Sequence, residues 1–354
     1  MPSHRIAIIP GDGIGPEVVT AGFDVIEAAA SRDGIELVRE VLPYSADHYL
    51  ATGETLPDHA FERLRDQADA IFVGALGDPR VPGNQHARDI LLGLRFRLDL
   101  YINFRPVVLL HPRLTPLKAV GAAGKPSTID FVVFRENTEG QYRGLGRSEG
   151  VGTPEERHVS EEIHTRRGVV RLIEAAFAWA KAHGKTRLTL TDKSNAIPFH
   201  RIWGTVFAEV GQRYPELERE HRYVDALAME LVQDPARFQV IVANNLYGDI
   251  LSDLGAALVG GLGVAASANL HPGRPGLFEP VHGSAPAIAG KDLANPMATI
   301  LTGGLMLEQL GHADAARRIE LAVRSVLAEG PCTPDLGGTA GTREVARAVR
   351  EALC

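Results

Sequence analysis

The sequence predicts an α/β protein with largely parallel strands, built from two domains. Short runs of apolar and β-branched residues alternate with longer segments of helical periodicity along the 354 residues, and this alternation is typical of parallel sheets. A chain of this length exceeds one ordinary hydrophobic core, so we expect two domains. The sequence shows no repeat of fixed period and no low-complexity segment.

The predicted elements can be placed in chain order. Strands are predicted at RIAIIP (5–10), ADAIFVGA (68–75), TIDFVVFRE (128–136), TRLTLTDK (186–193) and FQVIVANN (238–245). Helices are predicted from Pro16 to about Ala30, over 58–67 and over 167–184, where Gly184 ends the last one. Loops are predicted at 76–88, 110–127 and 143–158. Glycines and charges mix without periodicity in the third loop, which favours a lid or arm there.

The composition limits the classes of function. Hydrophobic residues make up 45% and charged residues 23%, as in a soluble globular protein. The net charge of −7 gives no general attraction to nucleic acid or to an anionic membrane. The two cysteines argue against a disulfide framework and fit a reducing cytoplasm. We expect no signal peptide and no membrane span, because no run reaches the roughly 18 apolar residues that a span requires.

The stretch GDGIG at 11–15 follows a predicted strand and resembles the start of a dinucleotide fingerprint. The third glycine of that fingerprint is missing, because Pro16 stands in its place. Proline is favourable in the first turn of a helix, where its missing N–H costs nothing. We therefore expect that a nicotinamide nucleotide, if one binds, uses a site that is not of the Rossmann type.

Three arginines lie among apolar residues. Arg95 and Arg105 belong to LRFRLDLYINFRP (94–106), and Arg135 follows an apolar strand in FVVFRENTEGQY (131–142). A buried guanidinium needs a partner, and a carboxylate bound through two hydrogen bonds is the natural one. Arginines on a solvated face would need no such partner. The sequence pattern alone does not decide between buried, paired arginines and solvated ones. In an acidic chain, the three together favour a pocket for a small di- or tricarboxylate.

Lys193 and Asn195 follow a predicted strand in TDKSN (191–195). A lysine there is either a solvated turn residue or, in a crevice at the carboxyl ends of parallel strands, a group that acts on a ligand. Tyr142, seven residues after Arg135, is a second candidate for proton transfer.

Asp249 and Asp253 lie four residues apart in NLYGDILSD (245–253), so a helix would place both carboxylates on one face. Such a pair either caps and solvates the helix start or holds a cation. Carboxylate oxygens suit Mg²⁺ or Mn²⁺. Asp225, in VDALAMELV (224–232), is a third acid at the start of another helix, where helix capping is the alternative role.

Eight ordered motifs carry a resemblance to a known family. The chain resembles the metal-dependent β-decarboxylating dehydrogenases, which include the enzymes for 3-isopropylmalate, isocitrate, homoisocitrate and tartrate. The resemblance runs nearly end to end, through GDGIGPEV (11–18), LRFRLDLYINFRP (94–106), VVFRENTEGQY (132–142), TDKSN (191–195), VDALAMELV (224–232), NLYGDILSD (245–253), FEPVHGSAPAIAGKDLANP (278–296) and TPDLGG (333–338).

The resemblance implies an isopropylmalate dehydrogenase-like fold of two domains and a homodimer with shared active sites. The domain with both termini would hold residues 1–103 and 260–354, and the central domain, residues 104–259, would hold the dimer contacts and an exchanged arm. The segment Gly11 to Gly15 would flank the cofactor. The implied cofactor-binding residues are His282, Gly283, Ser284, Ala285, Pro286, Ala287, Ile288 and Asn295.

The resemblance also implies roles for the polar candidates. Asp249 and Asp253 would bind Mg²⁺ or Mn²⁺, with Asp225 completing the site from the other subunit. Lys193, also lent by the partner, would act as general base or its relay, and Tyr142 as the acid. The reaction would oxidise a small dicarboxylate hydroxy acid with NAD and then release CO₂. The implied substrate-binding residues are Leu91, Leu92, Arg95, Arg105, Arg135, Asn195 and Asp225.

The substrate of such an enzyme would be selected one turn before Arg95, at Leu91 and Leu92. Two leucines favour an alkyl group, because an unpaired buried carboxylate costs several kcal/mol. This predicts (2R,3S)-3-isopropylmalate and leucine biosynthesis; if the leucines are ordinary helix core, selectivity lies elsewhere. Arg88 and RENTEG (135–140) instead favour isocitrate, homoisocitrate, tartrate or an unusual 3-substituted malate of secondary metabolism.

The cofactor prediction depends on Ala287, where NAD-dependent members usually carry an aspartate that binds the adenosine ribose. No cation replaces that aspartate at 287 or 288, so NAD is predicted and NADP is the alternative. A non-catalytic paralogue that only binds a metabolite would be expected to lack a metal aspartate, Lys193 or Tyr142, and all of these are present.

Overall fold

A computed structural model describes residues 2–118 and 128–353. The strands are β1 (Ser3–Gly11), β2 (Glu36–Val41), β3 (Ala70–Ala75), β4 (Ile102–Val108), β5 (Asp130–Glu136), β6 (Gly146–Glu149), β7 (Arg157–Ser160), β8 (Arg187–Asp192), β9 (Glu218–Tyr223), β10 (Val240–Ala243), β11 (Ala266–Leu270) and β12 (Gly276–Pro280). The helices are α1 (Gly15–Arg32), α2 (Ala46–Thr52), α3 (Asp58–Gln67), α4 (Gln85–Arg97), α5 (Arg166–Ala182), α6 (Arg201–Gly211), α7 (Val224–Gln233), α8 (Asn245–Leu258), α9 (Met297–Gln309), α10 (Ala313–Glu329) and α11 (Thr342–Glu351).

The predicted α/β class is confirmed, and the predicted strands and helices are present with small shifts at their ends. Pro16 lies in the first turn of α1, as expected. Helix α5 ends at Ala182, and Gly184 then adopts a left-handed φ of 64°. None of the helices in the described ranges combines the length and apolar character needed to cross a membrane.

Two of the predicted loops contain regular structure. Helix α4 begins inside 76–88, at Gln85, and the segment 143–158 holds strand β6 and the start of β7, which pair as an antiparallel hairpin. Neither strand buries a face, so the period-2 pattern that marks a strand was missing from the sequence. On the exposed surface of this hairpin, Glu149 forms ion pairs with Arg147 and Arg157. The remaining predicted loop, 110–127, lies partly outside the described residues, from 119 onward.

The chain divides into two compact units. The first holds the described residues of 1–100, 108–128 and 256–354, and the second holds 101–107 and 129–255. The boundaries inferred from the sequence, at 103 and 260, stay a prediction; residues 108–118, which they assign to the central domain, group here with the chain ends.

In the first unit the strand order is β2-β1-β3-β12-β11. The first four strands of that order run parallel and β11 is antiparallel to β12. A buried apolar cluster joins this sheet to α3 and α4, and it includes Ile71 and Val73 of β3 with Ile90 and Leu94 of α4. This packing fixes the position of α4, which carries the predicted substrate-selecting residues.

In the second unit the strand order is β4-β5-β10-β8-β9. Strand β10 is parallel to both β5 and β8, and its last residue, Ala243, lies in register with Arg135 on one side and Thr191 on the other. The residues that follow these strands therefore emerge at the same edge of the sheet. Ligands of open α/β sheets bind at this edge, so it is the first place to look for a site.

Candidate functional site

Arg135 is the last residue but one of strand β5 in the second unit and is almost fully buried, with 1% of its surface exposed. Its guanidinium donates to the side-chain oxygen of Asn245, at 2.7 Å from Nη2, and to the Asn245 backbone carbonyl at 2.9 Å from Nε. Its remaining terminal nitrogen binds Asp249. Gly248 makes this burial possible, because a Cβ there would lie 2.5 Å from Cγ of Arg135.

The two aspartates of helix α8 do lie on one face, as their spacing predicts. Nη1 of Arg105 donates to Asp253 at 2.9 Å, and Nη2 of the same guanidinium lies 3.3 Å from Asp249. Arg105 is itself oriented by Asn103 and Ser252, at 2.8 and 2.9 Å. Two buried arginines and two aspartates therefore form one group, which we call the acid–arginine cluster: Arg105, Arg135, Asp249 and Asp253.

Tyr142 joins the acid–arginine cluster through its phenol, which donates to Oδ2 of Asp249 at 2.6 Å. Burial raises the pKa of Tyr142, and the hydrogen bond that its phenol donates to the Asp249 carboxylate raises it further. Burial also raises the pKa of Asp253, and the nearby Arg105 guanidinium opposes that rise. The cluster thus holds a phenol that keeps its proton at neutral pH beside carboxylate oxygens of the kind that Mg²⁺ and Mn²⁺ prefer.

Lys193 follows β8 and forms an ion pair with Asp225, with Nζ 2.7 Å from Oδ2. Asp225 lies in the first turn of α7, after the helix start at Val224, and the hydrogen bond from Lys193 lowers the pKa of its carboxyl. The carboxylate is largely exposed, at 67%. Asn195 is also exposed. In this chain Lys193 and Asp225 therefore pair with each other, on the surface of the second unit.

The first unit holds the remaining predicted substrate-binding residues, all on helix α4. Arg95 is buried and donates to Oε1 of Glu279 at 2.6 Å, so its charge is already compensated by a protein carboxylate. Leu91 and Leu92 are both half-buried, and Leu91 packs against the apolar cluster of β3 and α4. Arg88 is 65% exposed. Its place on the helix, one and two turns before Leu92 and Arg95, puts the three on one face.

The predicted cofactor loop, His282 to Ile288, lies against the glycine-rich segment that precedes α1. Ile14 N donates to the Ser284 carbonyl at 2.8 Å. Gly13 has a φ of 56°, and a Cβ there would lie 2.0 Å from that carbonyl oxygen, so only glycine fits. Ala285 is a non-glycine residue with a left-handed φ of 38°. Burial lowers the pKa of His282, which keeps its imidazole neutral.

Two further side chains hold this part of the first unit. Asn295 donates to Asp335 at 3.0 Å. Asp12 is buried and accepts from Ala46 N at 2.6 Å and Gly77 N at 2.8 Å, and it lies 2.7 Å from Nε2 of His86 in α4. Asp12 therefore joins the glycine-rich segment, the start of α2, the chain after β3 and the start of α4.

A known protein family matches nearly the whole chain. The family model described as isocitrate/isopropylmalate dehydrogenase matches residues 5–349. The chain belongs to this family. A 3-isopropylmalate dehydrogenase of Thermobifida fusca is 48% identical over 328 residues, which cover 92% of this chain and 91% of the relative. The decarboxylating D-malate dehydrogenase of Escherichia coli is 44% identical and covers 99% of this chain and 98% of its own.

The dehydrogenase fold predicted from the sequence is confirmed by solved structures. The crystal structure of isocitrate dehydrogenase from Methylococcus capsulatus superposes with a TM-score of 0.87 at 38% identity, over 99% of both chains. The chain is therefore an oxidoreductase of the isocitrate/isopropylmalate dehydrogenase family. The roles of individual residues in it stay predictions.

Sequence reasoning missed several partners that orient the predicted residues of this dehydrogenase. Asn245, which holds Arg135, could have been found because it follows the carboxyl end of β10, where site residues concentrate. Glu279, the partner of Arg95, was harder to find, because the sequence shows only that it is an acidic residue within a strand that is otherwise apolar. Lys291 donates to the Ala287 carbonyl at 2.8 Å and brings a cation to the predicted cofactor loop, although no cation was expected at 287 or 288.

Proposed function

We propose that the chain catalyses the NAD-dependent oxidative decarboxylation of a 3-substituted malate. The substrate we assign is (2R,3S)-3-isopropylmalate, and the products are 4-methyl-2-oxopentanoate and CO₂, in the leucine biosynthesis of the cytoplasm. The observation that carries this proposal is the acid–arginine cluster, where two buried guanidiniums and two carboxylates meet in a chain of net charge −7. Such a cluster offers binding sites for a dicarboxylate and for a divalent cation.

Asp249 and Asp253 are the residues that would hold Mg²⁺ or Mn²⁺. Their oxygens suit these hard cations, and Asp253 is half exposed, so a cation can reach it. Two carboxylates leave room for substrate oxygens and water, and Asp225 of a second subunit would complete the ligand set. When bound, the cation polarises the substrate hydroxyl and later the carbonyl oxygen, which favours oxidation and loss of CO₂.

The chain's own side chains would bind the substrate and move its protons. Arg105 and Arg135 would bind a substrate carboxylate, for which their buried and oriented guanidiniums are suited. Lys193 would take the hydroxyl proton, directly or through a relay, and a bound nicotinamide would supply the hydride acceptor. Tyr142 would return a proton to C3 after CO₂ leaves, and its raised pKa keeps that proton available at neutral pH. Arg95 and Asn195 stay proposed as further substrate-binding residues.

A homodimer with shared active sites is part of the proposal. Helix α7 exposes Met229 by 55% and Val232 by 46%, and α8 exposes Ile250, between the two cluster aspartates, by 56%. A second copy of the chain that packed on these helices would cover the exposed apolar side chains. Asp225 lies on α7 and Lys193 pairs with it, so a second copy bound through these helices could lend both residues.

The proposed cofactor is NAD, bound by residues 282–288 and Asn295 beside the glycine-rich segment. The neutral His282 imidazole offers an uncharged ring to the adenine. NADP is the alternative, and Lys291 beside Ala287 supports it, because an ammonium group can bind a 2′-phosphate.

A second candidate substrate is a malate with a smaller or more polar group at C3. The identity of 44% to the D-malate dehydrogenase of Escherichia coli over 99% of this chain supports this candidate. Arg88 supports it as well, because its exposed guanidinium shares a helix face with Leu92 and could bind an added carboxylate.

The test is the absorbance of NADH or NADPH formed with Mn²⁺ and each of five substrates: 3-isopropylmalate, D-malate, isocitrate, homoisocitrate and tartrate. We expect the highest kcat/KM with 3-isopropylmalate and NAD, and none after chelation of the metal. A higher kcat/KM with D-malate or another polar malate would reassign the substrate and retain the chemistry. Absence of turnover with all five would contradict the proposed reaction and leave a metabolite-binding protein.

A further inference from the structure

The second unit contains a group of metal-ligand side chains separate from the acid–arginine cluster. Among the residues that the structure describes, Glu162, His164 and His200 form the one group of three or more histidine, cysteine or acidic side chains whose ligand atoms all lie within 4.8 Å of one another. Glu162 and His164 precede helix α5, and His200 directly precedes α6. The starts of two packed helices therefore hold the three residues in place.

Two of the three distances in this group are close to those around a single metal ion, and the third, between the two imidazoles, is at most 4.8 Å. Nε2 of His200 lies 2.9 Å from Oε2 of Glu162, and Nε2 of His164 lies 3.1 Å from Oε1. Ligand atoms of a tetrahedral zinc ion are separated by about 3.4 Å, because each lies about 2.0–2.1 Å from the metal. Small shifts of side chains would thus suffice to place one ion between the three.

One imidazole nitrogen of the group contacts the Glu162 carboxylate without a well-formed hydrogen bond. The His164 side chain is 6% exposed, and its Nε2 makes no hydrogen bond with any described residue, although it lies near Glu162. A buried polar nitrogen without a hydrogen bond is costly, and a bound cation would satisfy it. Asn244 donates a hydrogen bond to Oε1 of Glu162 at 3.2 Å. Metal-binding carboxylates are commonly oriented by such a hydrogen bond from a residue that does not bind the metal.

We propose that Glu162, His164 and His200 form a second cation site, which takes Zn²⁺ or a similar transition-metal ion rather than Mg²⁺. Two imidazoles and one carboxylate are the ligands of zinc and related ions, whereas Mg²⁺ prefers oxygen ligands alone. The two sites of this unit would therefore differ in the metal they select. This proposal does not depend on the substrate or on the reaction proposed above.

Occupancy of this site would alter one contact of the Lys193 segment. Nδ1 of His200 accepts a weak hydrogen bond from the Lys193 backbone N–H, with 3.4 Å between the nitrogens. A metal on Nε2 leaves the ring proton on Nδ1, so that this acceptor is lost. The contact is long, and its loss is a small cost beside the formation of metal–ligand bonds.

The experiment measures Co²⁺ binding to the full chain, with Mg²⁺ in excess to fill the oxygen site. Co²⁺ with imidazole ligands absorbs visible light, and we expect one Co²⁺ per chain, displaced by one Zn²⁺. Glu162→Gln keeps the shape of the side chain and should weaken binding by about tenfold or more. His59→Ala removes an exposed histidine of α3 and should leave binding unchanged.

Two further results keep the test decisive. Zn²⁺ should raise the Tm of the wild-type protein in excess Mg²⁺ and should raise that of Glu162→Gln much less, because an ion that binds only the folded state stabilises it. Asp253→Asn should bind Co²⁺ as the wild type does. The proposal is overturned if the wild type binds no Co²⁺ in excess Mg²⁺, if Glu162→Gln binds it equally well, or if Asp253→Asn loses it.

Discussion

Tyr142 and Asp249 share a hydrogen bond of 2.6 Å, in which the phenol donates to Oδ2 while Arg135 binds the other oxygen of the same carboxylate. Tyr142, the proposed acid, is thus hydrogen-bonded directly to Asp249, a proposed metal ligand. A change at either residue acts on both the proton transfer and the cation.

Tyr142→Phe should lower kcat on the order of a hundredfold or more, because loss of a positioned acid typically costs that much. KM for the malate substrate should change little, since the arginines remain. Steady-state kinetics with saturating Mn²⁺ measures both constants. Tyr214→Phe removes a phenol elsewhere in the same unit and is the control; an equal loss of kcat in both variants would show that the effect is structural.

Asp253→Asn should separate stability from activity. Burial raises the pKa of Asp253 in the folded protein, so the ionised carboxylate destabilises the fold. This cost in folding free energy is present at pH values above the folded-state pKa and disappears below the unfolded-state pKa of about 3.9. The metal-free variant should therefore unfold with a larger free energy than the wild type at pH 7, and the difference should shrink as the pH falls through 4. Urea unfolding at several pH values measures it.

The same variant should lose on the order of a hundredfold or more in Mn²⁺-dependent kcat/KM, because a proposed ligand is gone. Asp234→Asn, at an exposed position after α7, is the control for charge. Activity that is retained at ordinary Mn²⁺ concentrations would remove Asp253 from the proposed metal site.

Leu92→Ser should lower kcat/KM for 3-isopropylmalate by about 10- to 100-fold and change that for D-malate little, since an apolar contact to the alkyl group is lost. The ratio of the two kcat/KM values is the measurement. Leu94→Ser is the matched control, because Leu94 of the same helix is fully buried in the core and its replacement should lower the Tm more than the ratio. If Arg88→Ala shifts the ratio and Leu92→Ser does not, the polar malates become the better assignment.

Ala287→Asp should lower kcat/KM for NADP by about tenfold or more and leave that for NAD similar or higher. A carboxylate there would repel a 2′-phosphate, and it could also bind the Lys291 ammonium group that lies beside residue 287. Ala287→Ser adds a polar group without a charge and should have little effect. Equal losses for both cofactors in the aspartate variant would place the ribose away from this residue.

Gly248→Ala should destabilise the protein by about 1–3 kcal/mol, because the added methyl would overlap the Arg135 side chain. It should also raise KM for the substrate by displacing that guanidinium. Gly93→Ala is the matched control, a helical glycine with open space around its Cβ, and it should stabilise the fold by up to about 1 kcal/mol. Thermal unfolding of both variants provides the comparison.

Features set by local geometry could be predicted from the sequence. The spacing of Asp249 and Asp253 placed both on one helix face, and the structure has both beside Arg105. The ordered motifs also gave the family, since together they span nearly the whole chain. The hairpin at β6 and β7 was missed because neither strand buries a face, so hydrophobic alternation could not reveal it.

Contacts between distant parts of the chain could not be predicted in this way. Arg95 was expected to need a carboxylate, yet nothing near it in the sequence identifies Glu279, 184 residues away, as its partner. His164 and His200 were not singled out either, because their approach depends on how α5 and α6 pack. Patterns of periodicity report which residues face a core and do not report which distant polar groups meet there.

The buried carboxylate of Asp12 also connects segments that lie far apart in the sequence. It ties the glycine-rich segment to Gly77 and, through His86, to the first turn of α4. A displacement of Asp12 would therefore either move the start of α4 or break a buried hydrogen bond. The glycine-rich segment that would flank the nucleotide and helix α4, which carries the proposed substrate-selecting leucines, are thus coupled through the buried Asp12 carboxylate.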